Sequence, residues 1–216
     1  MATVDLKDAA RQQRLRGTDT EILRRLVEQT LHGTRDSDRH ATALFGICLG
    51  SNGRNFLELG VRHGATTLPM LYAASLLGGT LTSVDIKDVN VSLDPEMSKS
   101  WRFHNGDAVE FLRALPDEAR FDVVYVDDWH AYPHVAQELA LLDRHVTPRG
   151  VILLHDLMYG DSGPHYHCDL TLADGQWAAG GPYRAVGELN PQIWEFATLP
   201  WCSGLTLLRK KYSTLY

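Results

Sequence analysis

Phe56-Leu57-Glu58-Leu59-Gly60-Val61-Arg62-His63-Gly64-Ala65-Thr66-Thr67 is the stretch whose reading decides the fold. It begins as a short apolar run with an acid set into it. Two glycines follow, and then a segment able to form a helix. That order predicts a buried strand, a tight glycine turn and a helix start. Glycine at both positions lets a ligand approach the backbone without meeting a Cβ. The helix N-terminus beyond offers free N–H groups and partial positive charge. Glu58 sets an anion beside this loop, which a phosphate would avoid, and no Gly-Lys-Ser/Thr follows. A guest with a cation or a hydroxyl-rich sugar fits better.

Downstream of this stretch, strand and helix signals alternate. Strands are predicted at residues 55–59, 80–86, 101–104, 121–126 and 151–154. A helix over about 65–77 ends at Gly78-Gly79, with Pro69 tolerated near its first turn. Another follows Asp107, with Ala108, Phe111, Leu112 and Leu115 inward. A third is lined by Val135, Leu139, Leu142 and Val146 and broken by Pro148-Arg149-Gly150. A short helix near 184–189 and strands at 193–198 and 204–209 close the chain. The alternation predicts an α/β fold: a Rossmann-like, doubly wound, mostly parallel sheet with an antiparallel C-terminal edge hairpin.

Upstream, residues 1–54 read as a helical cover on a main domain of residues 55–216. Ile22, Leu23, Leu26, Val27 and Leu31 recur at helical spacing, with Asp19 or Thr18 as cap and Gly33 as stop. A second stretch, 38–49, carries Ala41, Leu44, Phe45 and Cys48 on one face, and residues 50–53 form a turn. Three roles stay open for this segment: packing on the main domain, roofing an active site, or joining a dimer.

The composition is that of a globular chain: 216 residues, 44% hydrophobic, 22% charged, formal net charge −6. The negative charge argues against nucleic acid as a partner. No apolar run is long enough for a membrane span, and the first residues lack the apolar core of a signal peptide. The three cysteines, Cys48, Cys168 and Cys202, form no disulfide framework or metal-type pair. The expected compartment is the reducing cytoplasm. The expected partners are a small-molecule acceptor and further copies of this chain.

In such sheets ligands bind at the carboxyl ends of the strands. Glu58, Asp85, Asp107, Asp127, Asp128 and Asp156 each fall at or just past a strand end. Any one alone reads as a helix cap or turn residue; six in one topological position indicate a site. Asp85 ends the second strand, where an acid can accept both hydroxyls of a ribose. The glycine loop, E-x-G-x-x-x-G, lacks the close glycine pair that a pyrophosphate needs. An adenosine without phosphates fits better than a dinucleotide, and S-adenosylmethionine is such a ligand.

The ordered set E58-L-G-V-R-H-G-A-T-T67, S83-V-D85, N105-G-D107-A, D127-D-W-H-A-Y132 and P148-R-G-V-I-L-L-H-D156 resembles class I S-adenosylmethionine-dependent methyltransferases. The nearest group is the small-molecule O-methyltransferases that include cephalosporin hydroxylase-like and rhamnosyl methyltransferase-like proteins; catechol O-methyltransferase is more distant. The resemblance covers about residues 54–156. It implies that Glu58, Gly60, Gly64 and Thr66 cradle the methionine part, that Asp85 takes the ribose and Asp107 the adenine edge, and that Asp127 also borders the cofactor. A helix cap remains the alternative for Asp107.

Carboxylates with imidazole suit a hard or borderline divalent ion. The resemblance places magnesium on Asp127 and Asp156. His155 stands where relatives carry an acid, which brings manganese, iron or zinc into consideration, so Asp127, His155 and Asp156 are the expected ligands. His130 is the candidate base, with Asp127 as its catalytic partner, because imidazole titrates near neutrality; the alternative is that His130 braces the next helix together with Tyr132. Trp129, Tyr132, Tyr159, His165 and Tyr166 are candidate acceptor contacts. The last three lie in a long polar, glycine-rich stretch, 157–183, read as a substrate loop; His165, His167 and Cys168 match no standard zinc spacing. The expected activity is methyl transfer to a hydroxyl of a sugar, phenol or other natural product. A nicotinamide-dependent oxidoreductase and a non-catalytic scaffold stay as alternatives.

Overall fold

The structure, a computed structural model, describes residues 19–159 and 181–211. Helix α1 (Asp19–His32) leads through a 3-10 turn at Asp36–His40 into α2 (Ala41–Ser51). Then follow β1 (Asn55–Leu59), α3 (Thr67–Leu77), β2 (Thr80–Asp85), α4 (Pro95–Ser98), β3 (Trp101–Asn105), α5 (Ala108–Ala114) and β4 (Phe121–Val126). After these come α6 (Tyr132–His145), β5 (Val146–His155), a 3-10 turn at Leu157–Tyr159, α7 (Gly181–Gly187), β6 (Trp194–Leu199) and β7 (Leu205–Lys210).

The seven strands of the described residues form one sheet in the order β3-β2-β1-β4-β5-β7-β6. β1 to β5 pair in parallel. β7 runs antiparallel to both β5 and β6 and lies between them. The C-terminal hairpin is therefore present, but its second strand, not its first, joins the parallel sheet. The order reverses between β1 and β4, so their carboxyl ends open the crevice where a ligand sits.

Alternation along the strands divides the core into two layers. Leu57, Leu59, Val124, Val126, Ile152 and Leu154 face α5, α6 and α7, whose Ala108, Leu112, Val135, Leu139, Leu142, Ala185 and Val186 fill that side. Phe56, Val123, Tyr125 and Leu153 face α1, α2 and α3 through Leu26, Ala41, Leu44, Phe45, Cys48, Met70 and Leu71. Of the roles left open for the N-terminal segment, packing on the sheet is one it fulfils. The four residues read as the inner face of α2 are buried. Along α1 only Leu26 is buried, while Leu23, Val27 and Leu31 form an exposed stripe at four-residue spacing.

Local chemistry sets the boundaries. α2 ends on Asn52 at φ +52° and α3 on Gly78 at φ +64°, both left-handed caps. Pro69 is the third residue of α3, where no intrahelical N–H is needed. Several ends shift by one to three residues from the sequence reading, and two departures are larger. Val146 opens β5 opposite Phe121 and does not end the preceding helix; the register shift between Phe121 and Val123 accommodates Pro148 and Gly150 within the long strand. The short helix α4, capped by Asp94, falls between the second and third predicted strands, where the sequence reading assigns no element.

Candidate active site

The glycine loop joins β1 to α3. Glu58 points into the layer under the start of α3 and is wholly buried. Its carboxylate accepts the hydroxyls of Thr66 (2.7 Å), Thr67 (2.8 and 3.0 Å) and Ser83 (2.6 Å). Burial pushes its pKa up to about 7, against the hydroxyl hydrogen bonds, which lower it. Both Glu58 oxygens thus accept hydroxyls, from Thr66 and Thr67 at the start of α3 and from Ser83 on β2. Glu58 and Thr66 act from below, fixing the loop to β2.

Gly60 (φ +91°) and Gly64 (φ +74°) both hold left-handed backbone. A Cβ at Gly60 would lie 2.2 Å from the Asp127 carbonyl oxygen. Its glycine is thus required by the backbone at the end of β4, a reason apart from the ligand approach that its spacing suggested. Asp85 accepts the Val61 and Arg62 N–H groups at 2.9 Å each through one oxygen and the Lys87 N–H at 2.8 Å through the other. It braces the glycine loop, and a ribose would share this carboxylate with the loop amides. Asp107 caps α5 by accepting the Glu110 N–H at 2.9 Å, which is the capping alternative realised.

A cluster of acids and imidazoles forms where β4 and β5 end. The Asp127 N–H donates to the Leu59 carbonyl at 2.8 Å, which continues the ladder one residue past β4. Its side chain accepts the Tyr125 hydroxyl at 2.9 Å. His130 Nε2 lies 3.1 Å from Asp127 Oδ1 and 3.0 Å from Asp156 Oδ2. Burial opposes a charge on His130, yet the hydrogen bond and charge of Asp127 and the charges of Asp156 and Asp128 outweigh it and raise its pKa. Asp156 itself sits at φ +65°, a conformation Asp tolerates better than most residues. Burial raises its pKa, but His155 and His130 more than compensate and hold it low.

The ligand set differs from the one expected. One ligand atom each from Asp127, His130 and Asp156 lies within 4.8 Å of the others. His155 is instead buried behind them, its Nδ1 3.0 Å from Asp156 Oδ1 and 3.6 Å from Asp127 Oδ1. Burial disfavours its charge, but Asp127 and Asp156 raise its pKa to about 9. His155 also meets the ring of His40 edge-on at 5.3 Å. His40 belongs to the 3-10 turn before α2 and has its Nε2 3.2 Å from the Cys202 carbonyl oxygen, so the N-terminal segment closes this side of the centre.

Other predicted residues separate. Asp128 turns into the opposite layer, toward α6, where its Oδ2 lies 2.9 Å from His134 Nε2; the two adjacent aspartates do not face one point. Trp129 is 40% exposed and leans on the His134 ring, free to border an acceptor. Tyr132 lies under the Arg184 guanidinium, 3.8 Å from its ring centroid, and its hydroxyl donates to Glu188. It braces α7, not an acceptor pocket. The side chains of Tyr159, His165, Tyr166, His167 and Cys168 lie outside the described residues, as does most of the 157–183 loop. Sequence reasoning missed Tyr125, His40, Thr67 and Ser83; only the alternation of β4, which puts Tyr125 and Asp127 on one face, could have signalled the first.

Comparison with known proteins follows the same lines. Residues 57–157 match a family described as "Methyltransferase domain". The chain is 29% identical over 155 residues to phthiotriol/phenolphthiotriol dimycocerosates methyltransferase 1 of Mycobacterium ulcerans (strain Agy99). That alignment covers 66% of this chain and 49% of the relative, so the chain spans about half the relative's length. Among solved structures, the O-methyltransferase TomG of Streptomyces achromogenes, involved in tomaymycin synthesis and in complex with S-adenosylmethionine, superposes with a TM-score of 0.58. Identity is 16%, with 95% of this chain and 91% of that one covered. The MycE methyltransferase of the mycinamycin pathway, in complex with Mg and S-adenosylhomocysteine, gives a TM-score of 0.56 at 21% identity, covering 88% and 53%. Residues 57–157 are thus similar to a methyltransferase domain, and the sheet order and its helices share the Rossmann-like fold of solved O-methyltransferases.

Proposed function

We propose that this protein transfers the methyl group of S-adenosylmethionine to a hydroxyl of a small molecule, assisted by a divalent ion held by Asp127, His130 and Asp156. The observation that carries the proposal is the convergence of those three side chains at the ends of β4 and β5, beside the glycine loop of β1. Two carboxylates and one imidazole are a donor set suited to magnesium, manganese or a softer divalent ion. The donors fit such an ion, because one oxygen of each acid already lies within 3.1 Å of the same imidazole nitrogen. When bound, the ion would lower the pKa of the acceptor hydroxyl.

The chain's own residues do the rest. The Gly60–Gly64 turn admits the methionine part of the cofactor, with Glu58 and Thr66 holding the turn and Asp85 available to the ribose. Asp127 and Asp156 set negative charge near the donor sulfonium. His130 Nε2 must give up its proton to act as a ligand, so the ligand role and the role of general base exclude each other at that atom. In the metal-free alternative, the neutral form of His130, oriented by its contacts to both acids, would take the hydroxyl proton. In-line displacement then needs mainly positioning of the acceptor oxygen.

The neighbours' tomaymycin and mycinamycin contexts and bound ligands support a natural-product acceptor and the S-adenosyl cofactor. The exposed stripe of Leu23, Val27 and Leu31 supports self-association. No helix among the described residues is long and apolar enough to cross a membrane. The test is calorimetric titration with S-adenosylhomocysteine, and with NAD as the rival ligand, followed by methyl transfer to phenols and sugars before and after chelation. Absence of S-adenosylhomocysteine binding with and without divalent ions would refute the proposal. Full activity after chelation would reject the ion and leave the His130-base alternative.

A further inference from the structure

In the opposite layer from the reaction centre, Asp128, His134 and Glu138 converge on one another. His134 and Glu138 lie one turn apart on α6, and Asp128 reaches them from the end of β4. His134 Nε2 is 2.9 Å from Asp128 Oδ2 and 3.6 Å from Glu138 Oε1. Glu138 is 0% exposed. Neither of its oxygens, nor Asp128 Oδ1, has a hydrogen-bond partner among the described residues. Among those residues His134 alone pairs ionically with either acid. A buried carboxylate without a donor is costly, so this cluster calls for a proton or a cation.

We propose that Asp128, His134 and Glu138 form a second divalent-cation site, separate from Asp127–His130–Asp156, that clasps the end of β4 to the first turns of α6. One imidazole nitrogen and two carboxylate oxygens suit a borderline ion of the zinc or manganese kind. Ligand atoms around such an ion, bonded at about 2.0–2.2 Å, stand roughly 3.3–3.6 Å apart in a tetrahedron, and the observed 2.9 and 3.6 Å lie within about half an ångström of that spacing. Trp129 lies against the outer face of His134, with ring centroids 5.3 Å apart, and the partly exposed Asp128 leaves a path for the ion. Asp127 and His130 leave β4 through the same short segment, so the clasp would fix the backbone from which the reaction centre is built.

The test uses the full chain, stripped by a chelator and dialysed against zinc. Asp127→Asn combined with Asp156→Asn removes the reaction-centre ligands and should still take up one zinc per chain. Adding His134→Ala to that background should abolish this uptake. Glu138→Gln, isosteric and safer for folding, should weaken it about tenfold or more. Zinc should raise the melting temperature of the Asp127/Asp156 variant by on the order of 5 °C, and no longer do so once Glu138 is Gln. Cobalt in place of zinc should give visible absorption that His134→Ala removes. The proposal is overturned if the Asp127/Asp156 variant binds no zinc, the result expected of a Glu138 that simply keeps its proton. It is overturned equally if His134→Ala and Glu138→Gln leave uptake unchanged.

Discussion

Replacing Glu58 by Gln tests the idea that the glycine loop is held by a buried carboxylate. Glu58 is an acid whose folded-state pKa, about 7, stands above the ordinary 4.5 because of burial. The folded chain therefore holds this proton more tightly than the unfolded chain. Stability from this source is greatest below 4.5 and declines as pH rises through about 7. Full ionisation should cost about 3 kcal/mol, an upper figure for a single buried group. Gln cannot ionise, so the variant should lack this decline. It also loses an acceptor for the Thr67 and Ser83 hydroxyls, an offset of about 1–3 kcal/mol nearly independent of pH. At about pH 5 Glu58→Gln should thus be clearly less stable than the parent, and at about pH 8.5 the gap should narrow or reverse. Urea unfolding of both chains at several pH values measures this, and S-adenosylhomocysteine titration reports the loop. A gap that stays constant from pH 5 to 8.5 would refute the reasoning, since Glu58 would then ionise as an exposed acid does.

Four further outcomes are expected. Gly60→Ala adds a Cβ at positive φ, 2.2 Å from the Asp127 carbonyl oxygen; it should cost at least about 1–2 kcal/mol in thermal unfolding and weaken cofactor binding. Asp156→Ala should abolish chelator-sensitive methyl transfer while calorimetric affinity for S-adenosylhomocysteine stays close to that of the parent; equal loss of both would misplace the residue. Asp107→Ala should lower stability by about 1 kcal/mol as a lost helix cap, and a matching loss of cofactor affinity would show that its carboxylate also meets the adenine. His155, with its pKa raised from 6.5 to about 9 by the two acids, adds stability that is fully present below 6.5 and lost as pH rises through about 9; His155→Asn should flatten the unfolding free energy across that window.

The backbone plan was legible because its signals are local. β1 and β4 are short, mostly apolar runs bounded by turn residues, each with one acid set into it, and both match residue for residue. The inner face of α2 followed from the spacing of Ala41, Leu44, Phe45 and Cys48. Val146 misled because an apolar residue four past Leu142 continues a helical pattern equally well, and only pairing with Phe121 settles it. The strand-end acids were found as a set, but their individual duties were not. Asp127 and Asp128 part because adjacent residues at a strand end face opposite layers. Glu58 turned inward because Thr66, Thr67 and Ser83 meet it from below, a contact between separate elements that no spacing records. The meeting of His40 with His155 spans most of the chain and had no local signal.

The place of β7 between β5 and β6 has a consequence for synthesis. During translation, β5 must remain an open edge until residues 205–210 emerge, because its antiparallel neighbour is the last strand of the sheet. Its exposed rim carries Ile152, Leu153 and Leu154, a sequence inviting adventitious pairing. His155 is held opposite Leu205 by that same late pairing. The geometry that brings Asp156 and His155 to Asp127 is therefore completed only after residues 205–210 have emerged, and a nascent chain would acquire its glycine loop well before this cluster.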